Sequence, residues 1–438
     1  MQILKDGQTV YTVTSKMPCT AEKFLGGGGQ GEVYKADLGG KKIALKWYFP
    51  ATATPEQRHG LEMLVKKGPP TAKFLWPIEL TQSPDVPGFG YIMPLRGPQY
   101  KSIVDLMKRQ AEPTFRALAT AGLELADSYL ELHAMGLCYR DISFGNVFFA
   151  PDTGDTLICD NDNVAVDGEA EGGVLGTPRF MAPEIVCGRA LPSMQTDLYS
   201  LAVLLFYMLT VHHPLEGKLE SDIKCLDLPA MNKLYGTDPV FIFDPNNDSN
   251  RPVPGFHDNA IAFWPLYPQF IRDLFIESFT VGLHDPMERV RESEWRAAMV
   301  QMRDAIIYCP HCGAENFYDV IALRKSGGRP GTCWSCNSNL ILPPRIRVGK
   351  SIVMLNWDTK LYPHHIDPDR RYDFSKPIGE VNQHPKNPSI WGLRNLTDEK
   401  WVITTAEGAI KDVAPGRNVR LAVKTKINFG KKEGEIRM

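Results

Sequence analysis

At 438 residues the chain is too long for one hydrophobic core, so two to three domains are expected. Apolar residues make up 43% and charged residues 23%, the balance of a globular, water-soluble protein. A formal net charge of −2 gives no global field to attract nucleic acid or an anionic membrane, so neither is expected as a partner.

The longest apolar stretch, Leu198 to Val211, is about 14 residues and falls short of the roughly 20 that span a bilayer. It reads as a buried core helix. The opening MQILKDGQTVYTVT carries no apolar segment of the kind that directs secretion, and a cytoplasmic location is expected. Of the nine cysteines, four form two CxxC pairs, while Cys19, Cys138, Cys159, Cys187 and Cys225 are scattered and read as small buried hydrophobes.

In chain order, YTVT, EVYKADL and KKIALKWYF read as three strands, joined by a four-glycine turn and by Gly39-Gly40. A helix should follow, with Thr54 as N-cap, Pro55 in the first turn, Gln57 completing a capping box and Gly68 as the stop. Leu61, Leu64 and Val65 give that helix one apolar face. Pro113 to Gly136 is strongly helical, with Leu118, Leu125, Tyr129 and Leu132 on one stripe. From about 190 to 306 the pattern is mostly helical, interrupted by GTDPVFIFDPNNDSNRPVPGF, which reads as a loop insertion. Beyond 343, β-type runs such as KWVITT and VRLAVKTKINFG alternate with Gly and Pro turns.

The segment Gly26-Gly27-Gly28-Gly29-Gln30-Gly31-Glu32-Val33 satisfies GxGxxGxV. It joins two strands, whereas a dinucleotide fingerprint would open a helix, and that position suits backbone N–H groups folded over phosphates. Lys46, in Ile43-Ala44-Leu45-Lys46, would be partly buried, and a buried ammonium needs a partner. Glu62 on the following helix is the candidate, with Glu56 as the competing choice.

Further on stand Tyr139-Arg140-Asp141-Ile142-Ser143-Phe144-Gly145-Asn146, then Cys159-Asp160-Asn161-Asp162, then Gly176-Thr177-Pro178-Arg179-Phe180-Met181-Ala182-Pro183-Glu184, then Thr196-Asp197-Leu198-Tyr199, then Asp285-Pro286-Met287-Glu288-Arg289. In this order and spacing, over roughly residues 10 to 305, the chain resembles the eukaryotic-like (Hanks-type) Ser/Thr protein kinases, in a divergent bacterial form.

The resemblance implies roles residue by residue. Gly26, Gly28 and Gly31 would cover the phosphates of ATP, with Val33, Ala44, Met93 and Leu95 around the adenine. Lys46 would hold the α- and β-phosphates and pair with Glu62. Asp141 would take the substrate hydroxyl's proton, and Asn146 and Asp160 would hold Mg²⁺. Arg289 would pair with Glu184, and Asp197 would be buried. Three departures stand out: Tyr139 replaces His, Ser143 stands where a lysine is usual, and Asn161 and Asp162 replace the Phe and Gly that follow the metal-binding Asp.

The segment from Asn161 to Gly176 contains no Ser, Thr or Tyr, so it offers no phosphoacceptor. Asp167, Glu169 and Glu171 are fixed charges there, and one of them could occupy the place of a phosphate beside Arg140.

Cys309-Pro310-His311-Cys312 and Cys333-Trp334-Ser335-Cys336 are separated by 20 residues, with Gly313 and Asn337 after the knuckles. Two such pairs are a strong zinc signal, and the stretch resembles a zinc ribbon with structural Zn²⁺ on Cys309, Cys312, Cys333 and Cys336. Redox chemistry is the alternative, and His311 is expected on the surface. The run GLRNLTDEKWVITTAEGAIKDVAPGRNVRLAVKTKINFG resembles a β-sandwich of the forkhead-associated type, without the Gly-Arg, Ser and His pattern that grips phosphothreonine.

The expected fold class is therefore α+β: a bilobal protein-kinase fold over 1–306 (N-lobe 1–95, C-lobe 96–306), a zinc ribbon over 307–342 and a small all-β domain over 343–438. The expected function is ATP- and Mg²⁺-dependent phosphorylation of Ser/Thr in protein substrates. The domain order looks like bacterial stress-response kinases paired with a von Willebrand-type protein and a metal-dependent phosphatase. A pseudokinase scaffold working through its zinc and β domains is the alternative.

Overall fold

Alternating short runs in the first hundred residues close into a barrel. In the computed structural model, which describes residues 2–168 and 174–438, the strands are β1 (Thr9–Thr12), β2 (Pro18–Gly27), β3 (Gly31–Leu38), β4 (Lys41–Tyr48), β5 (Glu79–Gln82) and β6 (Gly90–Met93), in the order β1-β2-β3-β4-β6-β5. The strand that leads into the glycine turn is β2, not the YTVT run expected from sequence. Polar Thr20, Glu22 and Lys23 had masked its alternation of buried and exposed residues. Trp47, Tyr34 and Leu45 fill the barrel with Val10, Cys19 and Ile43, each large side chain contributing roughly 1.5–3 kcal/mol by leaving water.

Helix α1 (Pro55–Lys67) starts as expected, with the Gln57 N–H donated to Thr54 Oγ1 at 3.2 Å, and stops at Gly68 with φ +78°. The capping box does not form, because the Gln57 side chain turns instead toward the barrel. Leu61 and Leu64 are buried and Val65 partly so. The long helix Phe115–Ala134 buries Leu118, Leu125, Tyr129 and Leu132. The helix Met194–Thr210 is buried from Thr196 to Thr210, with a Ser193–Thr196 capping box at its start. No helix among the described residues is long and apolar enough to cross a membrane.

The 236–256 stretch is irregular but is not a loose surface insertion. Phe241, Ile242 and Asn250 are fully buried. Asn250 donates to the Leu215 and Val240 carbonyls at 2.9 and 2.7 Å and accepts from Leu219 N–H at 2.9 Å, satisfying backbone that has no helix or sheet to bond.

By its contacts the chain divides into two units, Met1–Trp264 with Asp273–Arg296, and Pro265–Arg272 with Ala297–Met438. In the second, a hairpin of Ile306–Tyr308 and Glu315–Phe317 precedes two sheets, one of six strands and one of four, that enclose Trp401, Leu393, Ile346, Ile427 and Ile436. The VRLAVKTKINFG run is two strands, Asn418–Arg420 and Lys426–Asn428, in different sheets. Of the five scattered cysteines, Cys19 and Cys138 are buried as expected, Cys159 and Cys187 partly so, while Cys225 is exposed.

Candidate active site

The glycine turn between β2 and β3 lies over open space. A Cβ built on Gly26, Gly28 or Gly29 meets nothing within 4 Å, whereas one on Gly31 would stand 2.2 Å from the Trp47 carbonyl oxygen. Gly31 thus lets β3 pack against β4, and the other glycines leave the backbone bare. Gly26 pairs with Val33, Val33 with Lys46, and Ala44 with Met93. Val33, Ala44, Met93 and Leu95 share one apolar cluster, so the four residues expected around an adenine meet on one wall.

Lys46 is buried on β4. Its Nζ donates to Asp162 Oδ2 at 2.8 Å and Oδ1 at 3.0 Å, and lies 3.6 Å from Asp160 Oδ1. The expected partner Glu62 does not reach it. Glu62 is half exposed and accepts from Arg58 Nε at 3.1 Å, one helical turn away on the same face of α1. Burial works to lower the Lys46 pKa, but Asp162 and Asp160 outweigh it and hold the ammonium above its ordinary value. Burial pushes the Asp160 carboxyl up, against the pull of Lys46.

Asp141 and Asn146 face each other in the loop between Cys138 and Val147. The Asn146 amide donates to Asp141 Oδ2 at 3.0 Å and to the Asp141 carbonyl at 2.9 Å. The Thr177 hydroxyl donates to Asp141 Oδ1 at 2.7 Å. Burial raises the Asp141 pKa, and these hydrogen bonds restrain the rise. The loop is held from below by Asp197, which accepts from the N–H of Tyr139 and, at 2.9 Å, from that of Arg140. Tyr139, in the usual place of His, donates its hydroxyl to the Cys159 carbonyl, and Cys159 N–H donates to the Asn146 carbonyl at 2.8 Å. Asp160 has φ +49°, a left-handed conformation that turns the chain sharply into the short 3₁₀ turn Asn161–Asn163. Asn161 is buried and donates to the Ile158 carbonyl at 3.0 Å.

Hard oxygen donors on Asp141, Asn146 and Asp160, a buried lysine and a bare glycine turn fit a magnesium–nucleotide ligand. Residues 93–263 match the protein kinase domain model. Among curated proteins the chain is similar to a probable serine/threonine-protein kinase, CCRP1, of Zea mays, at 32% identity over 28% of this chain and 20% of the relative. It is similar to the serine/threonine-protein kinase PknK of Mycobacterium bovis, at 32% over 27% and 11%, and to the serine/threonine-protein kinase pkn2 of Myxococcus xanthus, at 26% over 44% and 24%. Over residues 93–263 the chain is similar to protein kinases of the eukaryotic-like Ser/Thr type. It spans between about a tenth and a quarter of the length of these relatives.

Within the first unit, Arg289 and Glu184 form a two-pronged ion pair at 2.8 Å on both arms. Arg179 pairs with Glu216, which also accepts from the Tyr235 hydroxyl at 2.6 Å. Asp167 does not stand in for a phosphate beside Arg140: its Oδ1 accepts from Met194 N–H at 2.8 Å, at the start of a helix where a carboxylate is favoured. Glu169 and Glu171 lie outside the described residues. Sequence reasoning missed Asp162, Tyr48, Tyr91 and Gln57. The signal available was a carboxylate where the family has glycine.

In the second unit the four knuckle cysteines converge, their sulfurs all within 4.8 Å of one another. Sγ–Sγ distances of 3.6 Å (Cys309–Cys336) and 3.7 Å (Cys312–Cys333) match the roughly 3.8 Å edge of a tetrahedron with ~2.3 Å zinc–sulfur bonds. Asn316 Nδ2 and Ser335 N–H point at Cys333 Sγ from 3.5 and 3.4 Å, stabilising a thiolate. Gly313 and Asn337 take φ +75° and +59°, and each donates its N–H at 2.9 Å to the carbonyl of the first cysteine of its knuckle. His311 is exposed. The donor set fits Zn²⁺.

Proposed function

We propose that residues 1–306 form an ATP- and Mg²⁺-dependent kinase that phosphorylates Ser and Thr hydroxyls of protein substrates. The observation that carries this is the Asp141 carboxylate, fixed on one oxygen by Thr177 and on the other by Asn146. So held, Asp141 would orient a substrate hydroxyl and accept its proton, and burial strengthens it as a base. Lys46 would hold the α- and β-phosphates under Gly26, Gly28 and Gly31, with Val33, Ala44, Met93 and Leu95 around the adenine. Asn146 and Asp160 would hold Mg²⁺, which when bound neutralises charge on the phosphates.

In this reading residues 307–342 are a zinc ribbon with structural Zn²⁺ on its four cysteines, and 343–438 a forkhead-associated-like recognition module. A role in bacterial stress signalling, with a von Willebrand-type protein and a metal-dependent phosphatase as partners, rests on the domain order alone, and a cytoplasmic setting on the apolar pattern of the sequence. The second reading, a pseudokinase scaffold, is favoured by Ser143 at a lysine's place and by Asn161 after the metal-binding Asp.

Incubation of the full chain with labelled ATP, Mg²⁺ and a generic protein substrate, followed by mass spectrometry, tests the proposal. Phosphorylated Ser or Thr residues that depend on Asp141 support the kinase; their absence supports the scaffold.

A further inference from the structure

The kinases this chain resembles hold the phosphate-binding lysine with a glutamate on the helix that follows it, and they switch by moving that helix. Here α1 brings no carboxylate to Lys46. Glu62 is taken by Arg58, and the α1 side chain that does reach the site is an amide, Gln57. Gln57 Nε2 donates to the Tyr48 hydroxyl at 3.1 Å and to the Asp162 carbonyl at 3.3 Å.

The carboxylate comes from the other side. The Asp162 side chain is fully buried. Besides the two bonds from Lys46, it accepts the Tyr48 hydroxyl on Oδ2 and the Tyr91 hydroxyl on Oδ1, the latter at 3.1 Å. A buried carboxylate is costly unless its lone pairs are filled, and three donors from β4 and β6 fill them. Tyr48 and Tyr91 stand on the rigid barrel, so they hold the carboxylate in place independently of the ammonium.

We infer that Asp162 is the positioning residue for Lys46, doing from the metal-binding turn what a helix glutamate does in related kinases. The lysine's anchor and the metal-binding Asp160 then lie two residues apart on one turn. Setting that turn sets both, and displacement of α1 no longer disarms the lysine. The kinase loses the helix-swing switch and keeps Lys46 poised whenever the 160–163 turn is formed. This inference rests on the reading of Lys46 as the phosphate-holding residue.

The test compares wild type, Lys46→Met, Asp162→Asn, Asp162→Gly and Asp162→Gly with Gln57→Glu. It reads kcat and KM for ATP, affinity for a fluorescent ATP analogue with Mg²⁺, and melting temperature. Asp162→Asn keeps the side chain's size and removes the charge, its amide oxygen accepting from one tyrosine hydroxyl while its NH₂ faces the other. It should lower kcat by about 10²-fold with a much smaller change in KM. Gln57→Glu in the Asp162→Gly background supplies a carboxylate from the helix and should restore kcat by about tenfold or more. Asp162→Asn within about threefold of wild type in kcat, or a double variant no faster than Asp162→Gly, would overturn the inference.

A wild type as inert as Lys46→Met would defeat the kinase reading instead. Nucleotide affinity then decides: Asp162→Asn should weaken the analogue by roughly threefold or more, and unchanged affinity overturns the inference. Should Asp162→Asn fail to fold, the comparison of the Asp162→Gly pair still decides.

Discussion

Arg289 reaches across 105 residues to grip Glu184 through two parallel hydrogen bonds of 2.8 Å. Its other donors go to the Gly282 and Gln195 carbonyls, and its guanidinium lies 5.5 Å from the Tyr199 ring centre. The arginine is almost wholly buried, so removing either partner strands a charge out of water. Arg289→Ala or Glu184→Ala should each cost about 3–5 kcal/mol in denaturant unfolding of the first unit. Arg289→Lys should not rescue, because an ammonium cannot make the planar two-pronged contact. A shift below about 1 kcal/mol for all three would show the pair to be dispensable.

His133 links Asp197, which holds the backbone of Tyr139 and Arg140, to Glu292. It lies 3.1 Å from Asp197 and bonds Glu292 through its other nitrogen. Burial works against its charged form, but the two carboxylates win and raise its pKa to about 9 from 6.5. A raised folded pKa means the stabilisation is complete below pH 6.5 and is lost as pH rises through about 9. Its ceiling is on the order of 3 kcal/mol. The stability difference between wild type and His133→Gln, measured by denaturant titration, should shrink across that window. A difference that grows with pH would contradict the charged assignment.

The four converging cysteines predict one tightly held Zn²⁺ per chain, worth on the order of 10–16 kcal/mol of apparent binding energy. Cys309 and Cys333 share a core cluster with Met354 and Leu340, so stripping the metal should loosen the strand Ser351–Met354 as well as the ribbon. Amide exchange after chelation should rise in both. Elemental analysis of purified protein that finds no zinc would end this account of the four cysteines.

Thr177 is the first hydroxyl after the 161–176 stretch, which has none. Since that hydroxyl is spent on Asp141, phosphatase treatment should leave activity unchanged. Thr177→Val should lose about 10²-fold, and Thr177→Ser should recover most of it. Activity that falls on dephosphorylation, with the lost phosphate mapped to Thr177, would count against this.

What could be read from sequence was what local chemistry writes into spacing. Thr54 and Gly68 bound a helix because caps need particular residues, and Gly313 and Asn337 mark the knuckles because those turns need positive φ. Catalytic-loop and Arg289–Glu184 residues stand in a fixed order, so the family resemblance delivered them. The partner of Lys46 was not readable in this way. Glu62 and Asp162 are both carboxylates in segments that flank Lys46, and only the packing of Tyr48 and Tyr91 on β4 and β6 decides between them. The burial of 236–256 was hidden for the same reason. Its Pro and Asn content predicts irregular backbone, and the satisfaction of that backbone by Asn250 is a tertiary fact.

The most direct test of the whole account is the rate of phosphate transfer at saturating ATP and Mg²⁺, wild type beside Asp141→Asn and Asp141→Ala, with nucleotide affinity measured in parallel. If Asp141 is the base, Asp141→Ala should lose about 10²–10⁴ in rate with affinity for ATP little changed. Equal turnover in wild type and both variants would contradict it.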